Sequence, residues 1–154
     1  MIHENMKIII IMGSPSDQAW AEKIKSELDK WQLPSEFIVA SAHKAPEKVL
    51  AIVQKLNNEK EVIYVTIAGR SNGLSGVVAA NSVHPVIACP PFKDKEDLLV
   101  NIHSTLQMPS DTPVLTVLDP NNVAAACARM LGLADQSVQG KVKDKIEEIK
   151  DSYK

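Results

Sequence analysis

Apolar and polar positions follow one another along this chain in blocks. KIIIIM (Lys7–Met12) is apolar on both faces, which suits a central parallel strand covered above and below. After GSPSD the period changes: Trp20, Ile24, Leu28 and Trp31 recur on one helical stripe. Ser14 is placed as the N-cap of that helix, Pro15 as its first residue and Asp17 as its third. The alternation then repeats. EFIVA leads through SAHKAP to a helix with Val49, Ile52, Val53 and Leu56 at helical spacing. VIYVTIA leads through a glycine-rich loop to a short helix ending in VVAAN. PVIACP leads through PFKD to a helix carrying Leu98, Leu99, Ile102 and Leu106, and PVLTVL leads through DPNN to an alanine-rich helix that Gly132 closes as a C-cap.

Five strand-then-helix units of this length predict an α/β fold: a single-domain, three-layer α/β/α sandwich around a five-stranded parallel sheet. The common strand order for such a flavodoxin- or Rossmann-like chain is 2-1-3-4-5. One domain is expected to span residues 1–154, with no repeat or linker. Within it, residues 134–154 are left over. Val138, Val142, Ile146, Ile149 and Tyr153 form one apolar stripe on a C-terminal amphipathic helix, although Gly140 lowers helix propensity near its start. That stripe needs a surface, either the chain's own sheet or a neighbouring subunit.

Composition narrows the class. A formal charge of −2 gives no basic field for nucleic acid or an anionic membrane. No apolar run approaches the roughly 20 residues of a membrane span, and the one after MIHENMK is too short for a signal peptide. Cys89 and Cys127 lack metal-type spacing and read as small buried hydrophobes in a reducing cytoplasm. His3 falls in a terminus expected to be mobile, and His84 and His103 read as structural.

In an open parallel sheet, ligands bind beyond the carboxyl ends of the strands where strand order reverses. The loops that meet there are GSPSD, SAHKAP and AGRSNGLSG, which are also the loops rich in Ser, Gly, His, Lys and Arg. Ser14 and Asp17 are either helix caps or part of an anion site at a helix start, with Asp17 able to accept from ribose hydroxyls. His43, flanked by Ser41 and Lys44, is the one histidine in a strand-terminal loop and is placed for proton transfer. Lys44 suits a phosphate or carboxylate; Arg70 does too, or forms a structural salt bridge. Gly69, Gly73 and Gly76 would let backbone approach a flat ligand to which Ser71 and Asn72 offer hydrogen bonds. No metal-ligand cluster and no G-x-S-x-G elbow is present. Residue chemistry thus reaches a pocket for a small anionic ligand, but not a reaction.

The three loop motifs, GSPSD, SAHK-A-P and AGRSNGL, together resemble the PurE family of purine biosynthesis. PVIACPP, the LQMP segment at Leu106–Pro109 and the final helix extend the likeness from Lys7 to the C-terminus. The family has two branches. In the mutase branch, typically with SAHR and GGAAHL, a carboxylate moves from N5 to C4 of aminoimidazole ribonucleotide (AIR). SAHK with GRSNGL is similar to the branch that carboxylates C4 with CO2 directly, giving 4-carboxy-AIR. The resemblance implies His43 as general acid/base, Ser14, Ser41 and Lys44 near the phosphate, Asp17 on the ribose, and Ser16 among the substrate-binding residues. Gly69, Arg70, Ser71, Asn72 and Gly73 would line the base and the carboxyl group. It implies no cofactor and no metal, AIR and CO2 as small-molecule partners, and a cytoplasmic homo-oligomer, usually an octamer. The alternatives are the mutase and, remotely, a flavodoxin-like FMN module, against which stands the lack of aromatic residues in the site loops.

Overall fold

The computed structural model describes residues 5–154; His3 lies outside them. The strands are β1 (Lys7–Met12), β2 (Ser35–Val39), β3 (Val62–Ile67), β4 (Val86–Ala88) and β5 (Leu115–Thr116). They form one parallel sheet in the order β2-β1-β3-β4-β5, as the pattern predicts. Between and after them run α1 (Gln18–Lys30), α2 (Pro46–Leu56), α3 (Gly73–Asn81), α4 (Lys95–Leu106), α5 (Pro120–Leu131) and α6 (Gln136–Asp151).

The continuous apolar runs have their explanation in two cores, one on each face of the sheet. Ile8, Ile10 and Met12 of β1 join Ile63, Val65 and Ile67 of β3 under α1, α5 and the start of α6. Ile9 and Ile11 turn the other way and join Val62 and Tyr64 under α2 and α3. Strand side chains alternate between faces, so a strand buried on both sides reads apolar throughout. Burying each such isoleucine contributes about 1.5–3 kcal/mol.

Three expectations change. The first helix opens as a 3-10 turn, Pro15–Asp17, before α1 begins at Gln18. Gly132 does follow α5, but in the right-handed helical region (φ −64°) rather than the left-handed conformation of a glycine cap. The α4 stripe is only partly covered: Leu98 and Ile102 are half-buried, Leu99 and Leu106 are 54% and 59% exposed, and Asn101 and Thr105 are buried. The reason is polar. Asn101 Nδ2 donates to Asp97 Oδ1 within the helix at 2.7 Å, and Thr105 receives a hydrogen bond from Asn72, so α4 meets the third loop through polar side chains while Leu99 and Leu106 face out.

The tail divides along its length. Val138 is buried and Val142 packs on the core, whereas Ile149 and Tyr153 are exposed. Gly140 lies within α6 with open space around it. Among the described residues no helix is long and apolar enough to cross a membrane. Cys89 and Cys127 are buried and unpaired, their thiols pushed up to about 11 and about 12 by burial.

Candidate active site

Because β2, β1 and β3 are neighbours, the loops following them meet at one edge of the sheet. Register carries each strand into its loop without a break: Ala40 N–H donates to the Met12 carbonyl and Gly13 N–H to that of Ile67, both at 2.9 Å. At Gly13 the first and third loops approach closely. A side-chain carbon there would stand 3.4 Å from the Ile67 carbonyl oxygen and 3.7 Å from Ala68 Cβ.

The first loop is held by Ser14. Its Oγ accepts from Ser16 N–H at 3.3 Å and lies 2.9 Å from Ser16 Oγ, leaving a pair of hydroxyls at the helix start. Burial pushes the Asp17 carboxyl above its ordinary range, against the lowering effect of the Ser14 backbone. In the second loop Ser41 takes the equivalent place. Its Oγ accepts from Lys44 N–H at 3.2 Å and its carbonyl from Ala45 N–H at 2.9 Å, so the chain turns sharply and presents His43 at the tip. Lys48 Nζ donates to the Val39 carbonyl at 2.6 Å and secures the strand end beneath.

The third loop is pinned from behind. Asn72, only 5% exposed, caps α3 by accepting from Ser75 N–H at 3.0 Å. It donates from Nδ2 to Thr105 Oγ1 at 3.0 Å and from its backbone N–H to Ser104 Oγ at 2.9 Å. Ser71, not a glycine, adopts the left-handed conformation here, with φ 52°.

These loops enclose a cleft of about 250 Å³. Ser14, Ser16, Asp17, Ser41, His43, Gly69, Arg70 and Ser71 line it, as do Gly13, Ala42, Ala68 and Leu74, which the sequence reading did not single out. Lys44, Asn72 and Gly73 are not among the lining residues. Lys44 is exposed beside the cleft, Asn72 is the buried anchor just described, and Gly73 lies beneath His43. Gly76 belongs to α3 and faces Met108 and Thr112. Among the described residues Arg70 forms no ion pair, so its charge is available to a ligand. No Phe, Tyr or Trp lines the cleft.

A larger hollow, about 670 Å³, lies between α1 and α6. Most of its charged side chains have partners: Lys30 pairs with Glu27 at 2.7 Å and Lys145 with Glu148 at 2.9 Å, and Lys141 donates to Gln32 Oε1 at 2.8 Å. The smaller cleft, with several hydroxyls, an imidazole and a guanidinium at the topological switch point, is the better candidate for chemistry.

Comparison with known proteins gives the family. The family described as AIR carboxylase matches residues 7–152. A phosphoribosylaminoimidazole carboxylase of Archaeoglobus fulgidus is 46% identical over 139 residues, covering 90% of this chain and 76% of that one. A bifunctional phosphoribosylaminoimidazole carboxylase/phosphoribosylaminoimidazole succinocarboxamide synthetase of Drosophila melanogaster is 40% identical over 139 residues, and this chain spans 32% of its length. The crystal structure of Treponema denticola PurE shares the fold with a TM-score of 0.88 at 37% identity, over 96% of this chain and 93% of that one. With family, relatives and fold agreeing across nearly all of its length, the chain belongs to the AIR carboxylase family of enzymes.

Proposed function

We propose that this enzyme carboxylates C4 of AIR with CO2 in de novo purine biosynthesis, with His43 as the proton carrier. The observation that carries the reading is the cleft itself, where one imidazole sits at the tip of a loop opposite a guanidinium and a set of hydroxyls. The exocyclic amine of an aminoimidazole makes C4 enamine-like and nucleophilic. C4 attacks the carbon of CO2, a C–C bond forms, and one C=O pair moves to oxygen. C4 is then tetrahedral and must lose its proton so that the C–H electron pair can restore the aromatic ring. An imidazole suits that transfer, since histidine is the side chain whose charge ordinarily changes near neutral pH. In reverse the same group delivers the proton to C4 and CO2 departs.

The remaining roles follow from position. Ser14 and Ser16, at the first helix start, and Ser41, in the turn after β2, receive the phosphate, with Lys44 contributing charge from the rim. Asp17 accepts from the ribose hydroxyls. Gly69, Arg70 and Ser71 face the base and the new carboxylate, where fixed donors stabilise developing charge. Asn72 and Gly73 act from behind, by shaping that loop.

The assembly is part of the proposal. Small-molecule sites usually measure about 300–1,000 Å³, and the cleft of one protomer is smaller, at about 250 Å³. The outward leucines of α4 and the exposed end of α6 offer apolar surface for neighbouring copies. A homo-oligomer, an octamer if it follows the PurE resemblance, would cover these surfaces and complete the site. The buried, unreactive thiols suit a reducing cytoplasm.

The carboxyl donor decides between the carboxylase and the mutase. With AIR and labelled bicarbonate as the only carbon source and no ATP, the carboxylase incorporates label into 4-carboxy-AIR. Product formed from N5-carboxy-AIR alone, with no label taken from bicarbonate, would reverse the assignment.

A further inference from the structure

Gly73 is the first residue of α3, and no glycine among the described residues has a positive φ. The backbone therefore does not require glycine at this position, and alanine is the better helix former. What glycine supplies is space. A side-chain carbon at Gly73 would stand 2.9 Å from His43 Nε2, 3.0 Å from Cε1 and 3.6 Å from Cδ2. The imidazole rests on the bare Cα of Gly73.

The two sides of this contact differ in how far they can give. Gly73 N–H donates to the Ser71 carbonyl at 2.8 Å. The residue before it, Asn72, is buried and bonded to Ser75, Ser104 and Thr105, and the residue after it, Leu74, is buried. His43 is exposed, and no hydrogen bond to another described residue holds its ring. Any crowding at this contact displaces the ring and leaves the loop in place.

We propose that Gly73 is a positioning residue, the seat that sets where the His43 imidazole lies in the cleft. This rests on the reading of His43 as the proton carrier. It follows that Gly73→Ala costs little stability, because the atoms that yield are the end of an exposed side chain. The same change costs turnover, because displacing a catalytic group by about 1 Å can cost on the order of 100-fold. Phosphate and ribose are assigned to other loops, so KM should hardly move.

The test compares wild type, Gly73→Ala and His43→Asn in 4-carboxy-AIR decarboxylation, with thermal midpoints and NMR of ring-labelled histidine. His43→Asn identifies the His43 signal. For Gly73→Ala we expect kcat to fall about 10- to 100-fold, with an unchanged midpoint and KM. The His43 ring signal should shift while those of His84 and His103 stay. Wild-type kcat in Gly73→Ala overturns the proposal, as does a lowered kcat with an unmoved His43 signal. If Gly73→Ala does not fold, the double variant His43→Ala/Gly73→Ala should fold as well as His43→Ala, because the obstructing ring is gone; continued misfolding refutes the proposal. Full activity in His43→Asn removes the underlying reading of His43, an outcome distinct from any failure confined to Gly73.

Discussion

Asp17 combines two demands that pull in opposite directions. Burial raises its pKa in the free protein, so the folded state holds the proton more tightly than the unfolded chain does. The resulting stability is fully present below the unfolded pKa and is lost as pH rises through the folded one. Asp17→Asn, which cannot ionise, should therefore be at least as stable as wild type at neutral pH, with the advantage shrinking on acidification. Binding runs the other way. Ribose hydroxyls donate best to the ionised carboxylate, and a hydrogen bond to a charged group is worth about 1.5–3 kcal/mol. The same variant should raise KM for the ribonucleotide by roughly tenfold or more. Melting curves from pH 4 to 8 beside KM at neutral pH check both; a less stable variant at neutral pH would contradict the argument. The placement of some residues was legible from type and position: Ser14, Asp17, Ser41 and His43, read from strand-end loops, all line the cleft. Gly73 was legible only as a glycine, read as backbone freedom; its reason is an imidazole that arrives from a loop 30 residues away. The conformation that glycine favours is instead carried by Ser71, at φ 52°.

At the scale of elements, the third loop takes its shape from α3 and α4 together. Asn72 joins them, capping one helix and bonding to the other. Asn72→Ala would leave Ser75 N–H and Thr105 Oγ1 without these partners, a cost of about 1–3 kcal/mol. Urea unfolding should show that loss, together with lower turnover as Ser71 and Gly73 lose their anchor. A change under about 0.5 kcal/mol, within the range of ordinary surface substitutions, would mean the loop is held by other contacts. Patterning predicted β1 and β3 well because both of their faces are covered within the same chain. It misjudged part of α4: Leu98 and Ile102 are half-buried, but apolar spacing also pointed Leu99 and Leu106 inward, and both are exposed. The side facing the protomer instead carries Asn101 and Thr105, polar residues matched to a polar loop. β5 likewise shrinks to Leu115–Thr116, which pair with Ile87 and Ala88 of the short β4.

At the scale of the whole molecule, strand order makes the site. Placing β1 between β2 and β3 brings three loops from distant parts of the chain onto one edge. That convergence was predictable, because right-handed crossovers and a common order leave few alternatives. The partner surfaces were not, since one chain's sequence does not say what covers its outward leucines. If neighbouring copies cover them, Leu99→Asp with Leu106→Asp should lower the molar mass measured by light scattering and reduce activity with it. An unchanged mass would place the interface elsewhere. The proposed reaction turns on the transfer of one proton at C4, and His43→Asn tests it most directly. The variant should bind AIR with near wild-type affinity by calorimetry yet form no measurable 4-carboxy-AIR from AIR and bicarbonate. Carboxylation at the wild-type rate would contradict the central claim.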